Sequence, residues 1–427
     1  MKKLLVLALA LALFLSAMPT YALAEAQSDE PLNIHYISAR GATESAILAL
    51  QKIADEYKQT HPNFNMEIEN ISDRTSYLQK IKILASSGEL PDWFDADPES
   101  FFTSLVDEGL VYDMQALYDE LGVSDKFFNI SKEYAKLTDG RLNLLTWQCN
   151  TEYFFYNKDL FAKAGIDKLP TTMDELLAAC DKLQAAGIVP ISMGGAASWP
   201  ILRYSALIPF RMTGNQYIEE ACAGKASFGT DAGLKSAEFL QKIAQYFQPG
   251  WSTADYDTMV DLFVSQQAAI LYNGTWVVQS LVDEKMNLFP YIGYFTMPSY
   301  TGEDKTTASD YFANSGIGTA VLKTSMTPAM KDFMKFLIDR YADVALFDYN
   351  LLPSLMPSTT DGLPQIYLDI IDSASKVNTY AKCWDVVIDS ASLETLNKET
   401  MNLALGTIAP QQFTDAMDAV IKENVKQ

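Results

Sequence analysis

The residues best suited to binding chemistry are aromatic and amide side chains that follow predicted strands. Trp276 follows the apolar run from Ala268 to Tyr272, with Gly274 between them, and Trp199 follows the run from Ile188 to Met193. In α/β folds, ligands bind beside the ends of strands. A flat ring covers apolar C–H faces and planar polar groups bond hydroxyls, so this pattern predicts a site for a hydroxylated ligand.

A further group of candidates lies beside predicted strand ends or at points where the chain is expected to pass from one domain to another. Its members are Ser38, Arg40, Asp95, Asp97, Trp147, Gln148, Asn150, Asn314, Ser315 and Trp384. Arginine offers a fork of donors, carboxylates accept pairs of hydroxyl hydrogen bonds, and buried amides need partners. Each type also has a structural interpretation, because tryptophans pack in cores, Arg40 would suit a surface, and buried amides bond the backbone.

Short motifs near these candidates point to local structure as well as to binding. Gly194 and Gly195 precede Trp199, and two glycines would let the backbone approach a ligand. Asn157 and Asp159 have the character of helix-start and turn residues. We therefore expect those two residues to have structural roles and to lie outside the site.

Residues for catalysis and metal binding are scarce. The only histidines are His35 and His61, and no GxSxG, HExxH, P-loop or complete GxGxxG motif is present. The alternation of Asp95, Asp97 and Glu99 lacks the glycine and the distal glutamate of a calcium loop. We expect no enzyme, no metal and no cofactor, although a glycosidase needs only two carboxylates and the chain has 54 acidic residues.

Four cysteines are scattered along the chain. They are Cys149, Cys180, Cys222 and Cys383, with no CxxC pair among them. This spacing argues against a thiol redox motif or a zinc ribbon. Buried free thiols are expected, and one disulfide stays open as the alternative for an exported protein.

Residues 1–24 have the pattern of a cleaved secretory signal. Lys2 and Lys3 precede an apolar run from Leu4 to Ala17 that is short for a membrane span, and Ala22-Leu23-Ala24 provides small residues for cleavage. The alternative is a short N-terminal anchor helix. The mature chain is expected to begin near Glu25 and to be secreted, either periplasmic or extracellular at the cell surface. The formal net charge of −22 argues against binding to nucleic acid or anionic lipid.

The pattern of elements predicts an α/β fold. The chain has 427 residues, and a domain typically holds about 100–200 residues, so two domains are expected. Alternating apolar residues predict strands from Leu32 and from Phe64, with a helix between them. Thr172 and Glu175 form a capping-box pattern, and Asp231 is expected to cap another helix. Further helices are predicted over 77–84, 158–164, 231–247, 328–346, 393–405 and 410–425, and further strands over 142–155 and 289–295.

Six stretches, in order, resemble the extracellular solute-binding proteins that serve sugar importers, the relatives of maltose-binding protein. The most specific is Tyr156–Ile166 (YNKDLFAKAGI). The others are Ile53–Tyr57 with His61-Pro62, Leu84–Asp92 (LASSGELPD), Pro170–Glu175 (PTTMDE), Phe263–Trp276, and Asn314–Gly318 with the helix from Lys331 to Leu337. Met173 stands where the family usually has Trp, and Gln267 where Gly or Glu is usual. The resemblance covers about residues 32–427.

The resemblance implies a periplasmic-binding-protein fold in which two α/β lobes with a hinge enclose a ligand cleft. The chain would cross the hinge near Thr146, Phe295 and Tyr349. The N-terminal lobe would comprise residues 25–145 and 296–348, and the C-terminal lobe residues 146–295 and 349–427.

The resemblance also implies a function. The chain would be a monomeric receptor that captures a mono- or oligosaccharide and delivers it to the membrane permease subunits of an ATP-binding-cassette importer. In this family, the tryptophan that matches Trp276 commonly stacks on sugar. A non-sugar solute such as a polyamine, an amino acid, a metal or a phosphate-type anion stays open as the ligand, and so does an extracellular carbohydrate-active enzyme.

Overall fold

The structure is a computed structural model that describes residues 30–302, 304–376 and 380–425. The predicted signal sequence, residues 1–24, lies outside the described residues. The described strands are Leu32–Ser38 (β1), Phe64–Asn70 (β2), Trp93–Ala96 (β3), Asn150–Asn157 (β4), Val189–Ile191 (β5), Ala268–Gly274 (β6), Ile292–Phe295 (β7), Ala313–Asn314 (β8) and Gly318–Val321 (β9).

The described α-helices outnumber the strands, as the sequence predicts. They are Ser45–Thr60 (α1), Arg74–Ser87 (α2), Ser100–Asp107 (α3), Met114–Leu121 (α4), Asn129–Ala135 (α5), Lys158–Lys163 (α6), Met173–Ala185 (α7), Trp199–Thr213 (α8), Gln216–Cys222 (α9), Asp231–Ile243 (α10), Tyr256–Val264 (α11), Val278–Leu281 (α12), Pro328–Asp343 (α13), Gln365–Lys376 (α14), Trp384–Val387 (α15), Ser390–Ala404 (α16) and Pro410–Asn424 (α17). None of the helices in the described ranges is long and apolar enough to cross a membrane.

The first lobe is built on a four-stranded sheet with the order β2-β1-β3-β9. β1 pairs in parallel with β2 and β3, and β9 closes the edge antiparallel to β3. Parallel strands need helical crossovers, and α1 and α2 supply them between β1, β2 and β3. Late residues of the chain therefore complete the sheet that its first residues begin.

The second lobe is built on a sheet with the order β5-β6-β4-β7, to which β8 adds by pairing with β4. β5 runs parallel to β6, while β4 runs antiparallel to β6, β7 and β8. The central strand β6 is buried along its whole length. A strand buried on both faces is expected to be a continuous apolar run, and Ala268–Leu271 fits that pattern.

The segment before β4 connects the two sheets. The strand predicted over 142–155 begins only at Asn150 in the structure, so its predicted start is wrong. Leu145 forms an isolated bridge with Thr319 of the first sheet, whereas Asn150 pairs with Asn314 beside the second. Because residues 142–148 pass from one lobe to the other, they make single bridges instead of a ladder. The predicted lobe boundaries stay a prediction.

Two predictions of helix starts have opposite outcomes. The capping box is confirmed, since Thr172 accepts from the Glu175 backbone and the Glu175 side chain accepts from the Thr172 backbone. The prediction that Asp231 caps α10 is wrong. Thr230 occupies the cap position without a side-chain hydrogen bond, and Asp231 instead pairs with Lys235 at 2.7 Å.

The cores follow the sheets. One cluster of buried apolar residues surrounds the first sheet and includes Trp93, Trp147 and Phe333, and two others cover the faces of the second sheet. The four cysteines are buried and unpaired, which agrees with the prediction of free thiols.

Candidate functional site

A cavity of about 570 Å³ opens between the two lobes and is referred to below as the interlobe cavity. Its lining comes from the loop after β1, from the segment that connects the sheets, and from strand ends of the second lobe. The lining residues are Thr43, Glu44, Ser45, Gln148, Asn150, Trp199, Arg203, Tyr256, Trp276, Gln279, Asn314, Gly316 and Leu351. Ligand pockets typically measure about 300–1,000 Å³, so the volume suits a small molecule.

Three aromatic rings form one wall of the cavity. The ring centroid of Trp199 lies 5.8 Å from that of Trp276 and 6.3 Å from that of Tyr256. Trp199 begins α8, Tyr256 begins α11, and Trp276 lies in the turn after β6. The three rings are gathered from separate elements, and together they offer apolar faces at different angles to one ligand.

Gly274 determines where the Trp276 ring lies. A Cβ atom at position 274 would fall 1.9 Å from the indole of Trp276. No side chain fits at that distance, so only glycine lets the ring fold back over the end of β6. Gly274 therefore contributes to the site by positioning Trp276.

Amide groups form the floor of the cavity. The Asn150 amide donates to Gln148 Oε1 at 3.0 Å and to Asn314 Oδ1 at 3.1 Å, and its own oxygen accepts from Thr275 Oγ1 at 3.3 Å. Asn150 is thereby satisfied and fixes its two neighbours. The NH₂ groups of Gln148 and Asn314 make no hydrogen bond to the described residues, so they are available to a ligand's hydroxyls.

Arg203 lines the cavity beside Trp199. Its Nε donates to Glu152 at 2.9 Å and one terminal nitrogen donates to Asp385 at 3.1 Å. Its guanidinium stands 5.7 Å from the Trp199 ring centroid and 5.6 Å from that of Phe312. Cation–π contact of this kind stabilises the ring's orientation.

The positive charge of Arg203 and the carboxylates of Glu152 and Asp385 influence one another's ionisation. Burial opposes ionisation of Arg203, yet the carboxylates of Glu152 and Asp385 beside it hold its pKa well above the ordinary value. Burial raises the pKa of Glu152, and the neighbouring Arg203 opposes that shift. The guanidinium is therefore a permanent charge with its counterions already in place.

One hydrogen bond crosses the opening of the cavity from lobe to lobe. Ser45 Oγ, at the start of α1, donates to Gln279 Oε1 in α12 at 3.2 Å. Both residues line the cavity. The bond joins a half-buried serine to an exposed glutamine, one from each side of the cavity.

The structure does not bring Ser38, Arg40 and Asp95 to the cavity. Asp95 is buried and accepts from Arg40, Ser38, Tyr36 and Thr319 at 2.7–2.8 Å. The side chain of Arg40 is 6% exposed and also donates to the Ile317 carbonyl. Since these groups satisfy one another, the cluster holds β1 to β3 and β9 of the first sheet.

Four other candidates also lie away from the cavity lining. Asp97 pairs with Arg74. Trp147 is buried in the first lobe, where its Nε1 donates to Thr319 at 2.7 Å. Ser315 is buried beside Asn314, but its hydroxyl has no hydrogen-bond partner among the described residues.

Trp384 is the fourth candidate that lies away from the cavity lining. It packs in the second core against Phe228, with ring centroids 5.2 Å apart. It is 3% exposed and absent from the lining.

Glycines 194 and 195 have a packing role in the structure, and their predicted approach to a ligand stays a prediction. A Cβ atom on Gly194 would lie 2.8 Å from the Asp255 carbonyl oxygen, and one on Gly195 would lie 2.7 Å from that of Trp251. This close backbone contact brings the turn before Trp199 against the start of α11. It thus places Trp199 beside Tyr256.

The sequence predictions missed part of the lining, namely Thr43, Glu44, Ser45, Arg203, Tyr256, Gln279, Gly316 and Leu351. A signal for Arg203 existed, because it lies four residues after Trp199 and therefore on the same face of α8. Tyr256 follows the cap residue Asp255 and carried no comparable signal. Burial raises the pKa of Tyr256 to about 12, so its hydroxyl stays protonated and can donate.

Within the described ranges, no group of three or more His, Cys, Asp or Glu residues is placed to hold a metal ion. The cavity offers aromatic rings, amides and hydroxyls, together with the charged side chains of Glu44 and Arg203. The geometry is that of a cleft that presents both apolar rings and hydrogen-bonding groups to a small molecule.

Comparison with known proteins agrees with this geometry. Residues 41–340 match the model of the bacterial extracellular solute-binding protein family. An uncharacterized ABC transporter extracellular-binding protein of Pyrococcus horikoshii is 24% identical over 272 residues, which is 61% of this chain and 59% of that relative. A multiple sugar-binding protein of Streptococcus mutans is 22% identical over 338 residues, 75% of this chain and 76% of the relative.

Solved structures show the same architecture. A chitin oligosaccharide binding protein superimposes with a TM-score of 0.76 at 22% identity, covering 92% of this chain and 98% of its own. The solute-binding protein RafE in complex with raffinose gives a TM-score of 0.69 at 18% identity, covering 92% and 100%. At these identities the likeness shows the fold, in which two lobes enclose a cleft.

Proposed function

The chain belongs to the bacterial extracellular solute-binding protein family, and on that premise we propose that it is a secreted receptor for a mono- or oligosaccharide. It captures the sugar in the interlobe cavity and delivers it to an ATP-binding-cassette importer. The permease and the ATPase are separate proteins. The predicted signal in residues 1–24 supports a location outside the cytoplasm.

One observation carries the proposal, namely that the aromatic wall of Trp199, Tyr256 and Trp276 lines the same cavity as the amides of Gln148 and Asn314. A sugar ring presents an apolar face and a rim of hydroxyls. The rings cover the face, and the amide NH₂ groups bond the rim. The relatives named for multiple sugars, chitin oligosaccharides and raffinose support the same class of ligand.

The alternatives from the sequence gain no support from the site. A polyamine needs carboxylates, but Asp95 and Asp97, the two that the sequence offers, lie off the lining and pair with Arg40 and Arg74. A glycosidase needs two carboxyl groups roughly 5–9.5 Å apart across the bond to be cleaved. Glu44 is the one carboxylate among the lining residues of the described cavity.

A thermal-shift screen of the mature chain tests the proposal. Ligands that bind only the folded state raise the melting temperature. We expect at least one neutral mono- or oligosaccharide to raise it in a concentration-dependent way, while spermidine and amino acids leave it unchanged. A shift with spermidine or an amino acid and with no sugar contradicts the proposal, and new reducing ends on incubation with oligosaccharides contradict the non-enzymatic role.

A further inference from the structure

We infer that Thr275 is a positioning residue for sugar binding: it is not part of the cavity lining, yet it sets the direction of the hydrogen bonds in the cavity floor. Through Asn150 it holds the amides of Gln148 and Asn314 so that both present N–H donors to a ligand. This inference rests on the proposed function and deepens it, because it assigns the floor to sugar oxygens that accept hydrogen bonds.

The direction of this hydrogen-bond network is fixed at Gly316. A backbone N–H can only donate, and that of Gly316 donates to Asn314 Oδ1 at 3.0 Å. The same oxygen accepts from the Asn150 NH₂ group at 3.1 Å. Both lone pairs of Asn314 Oδ1 are therefore occupied within the protein, so Asn314 meets a ligand through its NH₂ group.

Asn150 carries the same direction to Gln148. Because the Asn150 NH₂ group faces Asn314, its second N–H reaches Gln148 Oε1 at 3.0 Å, and the Gln148 NH₂ group is left for the cavity. The oxygen of Asn150 must then find a donor on the opposite side. Asn150 is only 2% exposed, so that donor has to come from within the protein.

Thr275 is that donor. Its hydroxyl donates to Asn150 Oδ1 at 3.3 Å, while its oxygen accepts from the backbone N–H of Thr151, also at 3.3 Å. Thr275 is buried, and it immediately precedes Trp276 in the turn after β6. One buried hydroxyl thus connects the amides of the cavity floor to the turn that carries a ring of the aromatic wall.

Loss of the Thr275 hydroxyl would disturb the whole floor. The buried oxygen of Asn150 would have no donor among the described residues, and an unsatisfied buried acceptor costs free energy. A half-turn of the Asn150 amide would set its oxygen against the oxygens of Gln148 and Asn314. The Asn150 side chain must therefore shift, and the two neighbouring amides lose the bonds that orient them.

Calorimetric titration of three proteins tests the inference. The wild-type protein, Thr275→Val and Thr275→Ser are titrated with glucose, galactose, maltotriose, xylotriose, chitotriose and raffinose. Valine keeps the shape of the side chain and loses the hydroxyl, whereas serine keeps the hydroxyl. For the sugars that bind the wild-type protein, we expect Thr275→Val to lower the affinity roughly two- to tenfold, the effect of one lost hydrogen bond, and Thr275→Ser to stay within about twofold of the wild type.

Thr414→Val is the matched control. Thr414 is also buried, and its hydroxyl both accepts from and donates to Gln411 within α17. This variant removes a buried hydroxyl of the same kind away from the cavity lining, so we expect it to keep the wild-type affinity.

A double-mutant cycle with Asn150→Ala separates positioning from a general loss of structure. If Thr275 acts through Asn150, Thr275→Val changes the affinity of Asn150→Ala less than about twofold, while the lost contact with Thr151 is common to both backgrounds. Equal losses in the two backgrounds, or equal losses in Thr275→Val and Thr275→Ser, overturn the inference and leave a sugar receptor in place. Where Asn150→Ala binds too weakly to titrate, the comparison of Thr275→Val with Thr275→Ser and Thr414→Val decides. If no sugar binds the wild-type protein, the proposed function fails, and this inference fails with it.

Discussion

The indole rings of Trp199 and Trp276 meet edge to face, with centroids 5.8 Å apart and planes inclined at 69°. This arrangement presents two differently directed apolar surfaces to one cavity. Edge-to-face packing also fixes each ring against the other. The two rings are thus held in place before a ligand binds. The position of the Trp276 ring depends on Gly274, which is not itself part of the cavity lining.

Gly274→Ala tests that dependence. The added Cβ would fall 1.9 Å from the Trp276 ring, so the indole must leave its position. We expect affinity for the sugar found in the screen to fall at least tenfold, about 1.4 kcal/mol, in calorimetry. Gly41→Ala is the control, because its Cβ would make only ordinary contact, 3.5 Å from Glu44 Oε1. Equal affinities for the two variants would show that Gly274 does not position the ring.

Ser45→Ala tests the hydrogen bond that crosses the cavity opening. Loss of one exposed hydrogen bond costs about 0.5–1.5 kcal/mol, so we expect a two- to tenfold loss of affinity, carried by faster dissociation in stopped-flow fluorescence. Ser86→Ala is matched to it, since that hydroxyl donates only to the Lys82 carbonyl within α2. A dissociation rate that is the same in the wild-type protein and in Ser45→Ala contradicts a role for this bond in closure.

Arg40→Met tests the interpretation of Asp95 as a structural residue. Removing one partner of a buried ion pair leaves an uncompensated charge and typically costs about 3–5 kcal/mol. We expect a loss of that size in urea unfolding. Arg74→Met breaks the half-exposed pair with Asp97 and should cost about 1 kcal/mol or less. Equal losses of stability in the two variants contradict a structural role for the Arg40–Asp95 pair. If Arg40→Met stays fully stable and loses sugar binding, Arg40 belongs to the ligand site instead.

Thiol titration tests the state of the four cysteines. Burial raises the pKa of Cys149 and of Cys222 to about 12, so neither forms appreciable thiolate at pH 8. Thiolate is the reactive form. We expect no reaction with a disulfide reagent in the native protein at pH 8 and four thiols per chain after unfolding in guanidinium. Two thiols after unfolding would reveal a disulfide.

Much of the fold and part of the site are predictable from local sequence. The period of the apolar residues predicts β1, α1 and β2, and a strand followed by Gly274 and Trp276 predicts a ligand-facing ring. Gln148, Asn150, Asn314 and Trp199 also line the cavity, as candidates chosen for their place beside strand ends or crossings.

The features of the site that the sequence does not predict depend on contacts between residues that are far apart along the chain. Asp95 has the chemistry of a ligand acceptor until Arg40, 55 residues earlier, is seen to satisfy it. Trp384 has the same residue type as Trp276, but its packing against Phe228 buries it in the core. Local patterns identify residue types at strand ends, and only the tertiary contacts determine which side chains remain unsatisfied.

The most direct test of the account is calorimetric titration of the screened sugar into the wild-type protein, Trp276→Ala and Trp384→Phe. Trp276 lines the cavity, whereas Trp384 is buried in the second core. The account predicts that Trp276→Ala lowers the affinity at least tenfold, about 1.4 kcal/mol, and that Trp384→Phe lowers the melting temperature but keeps the wild-type affinity. Wild-type affinity in Trp276→Ala, or a loss confined to Trp384→Phe, would contradict the placement of the sugar in the interlobe cavity.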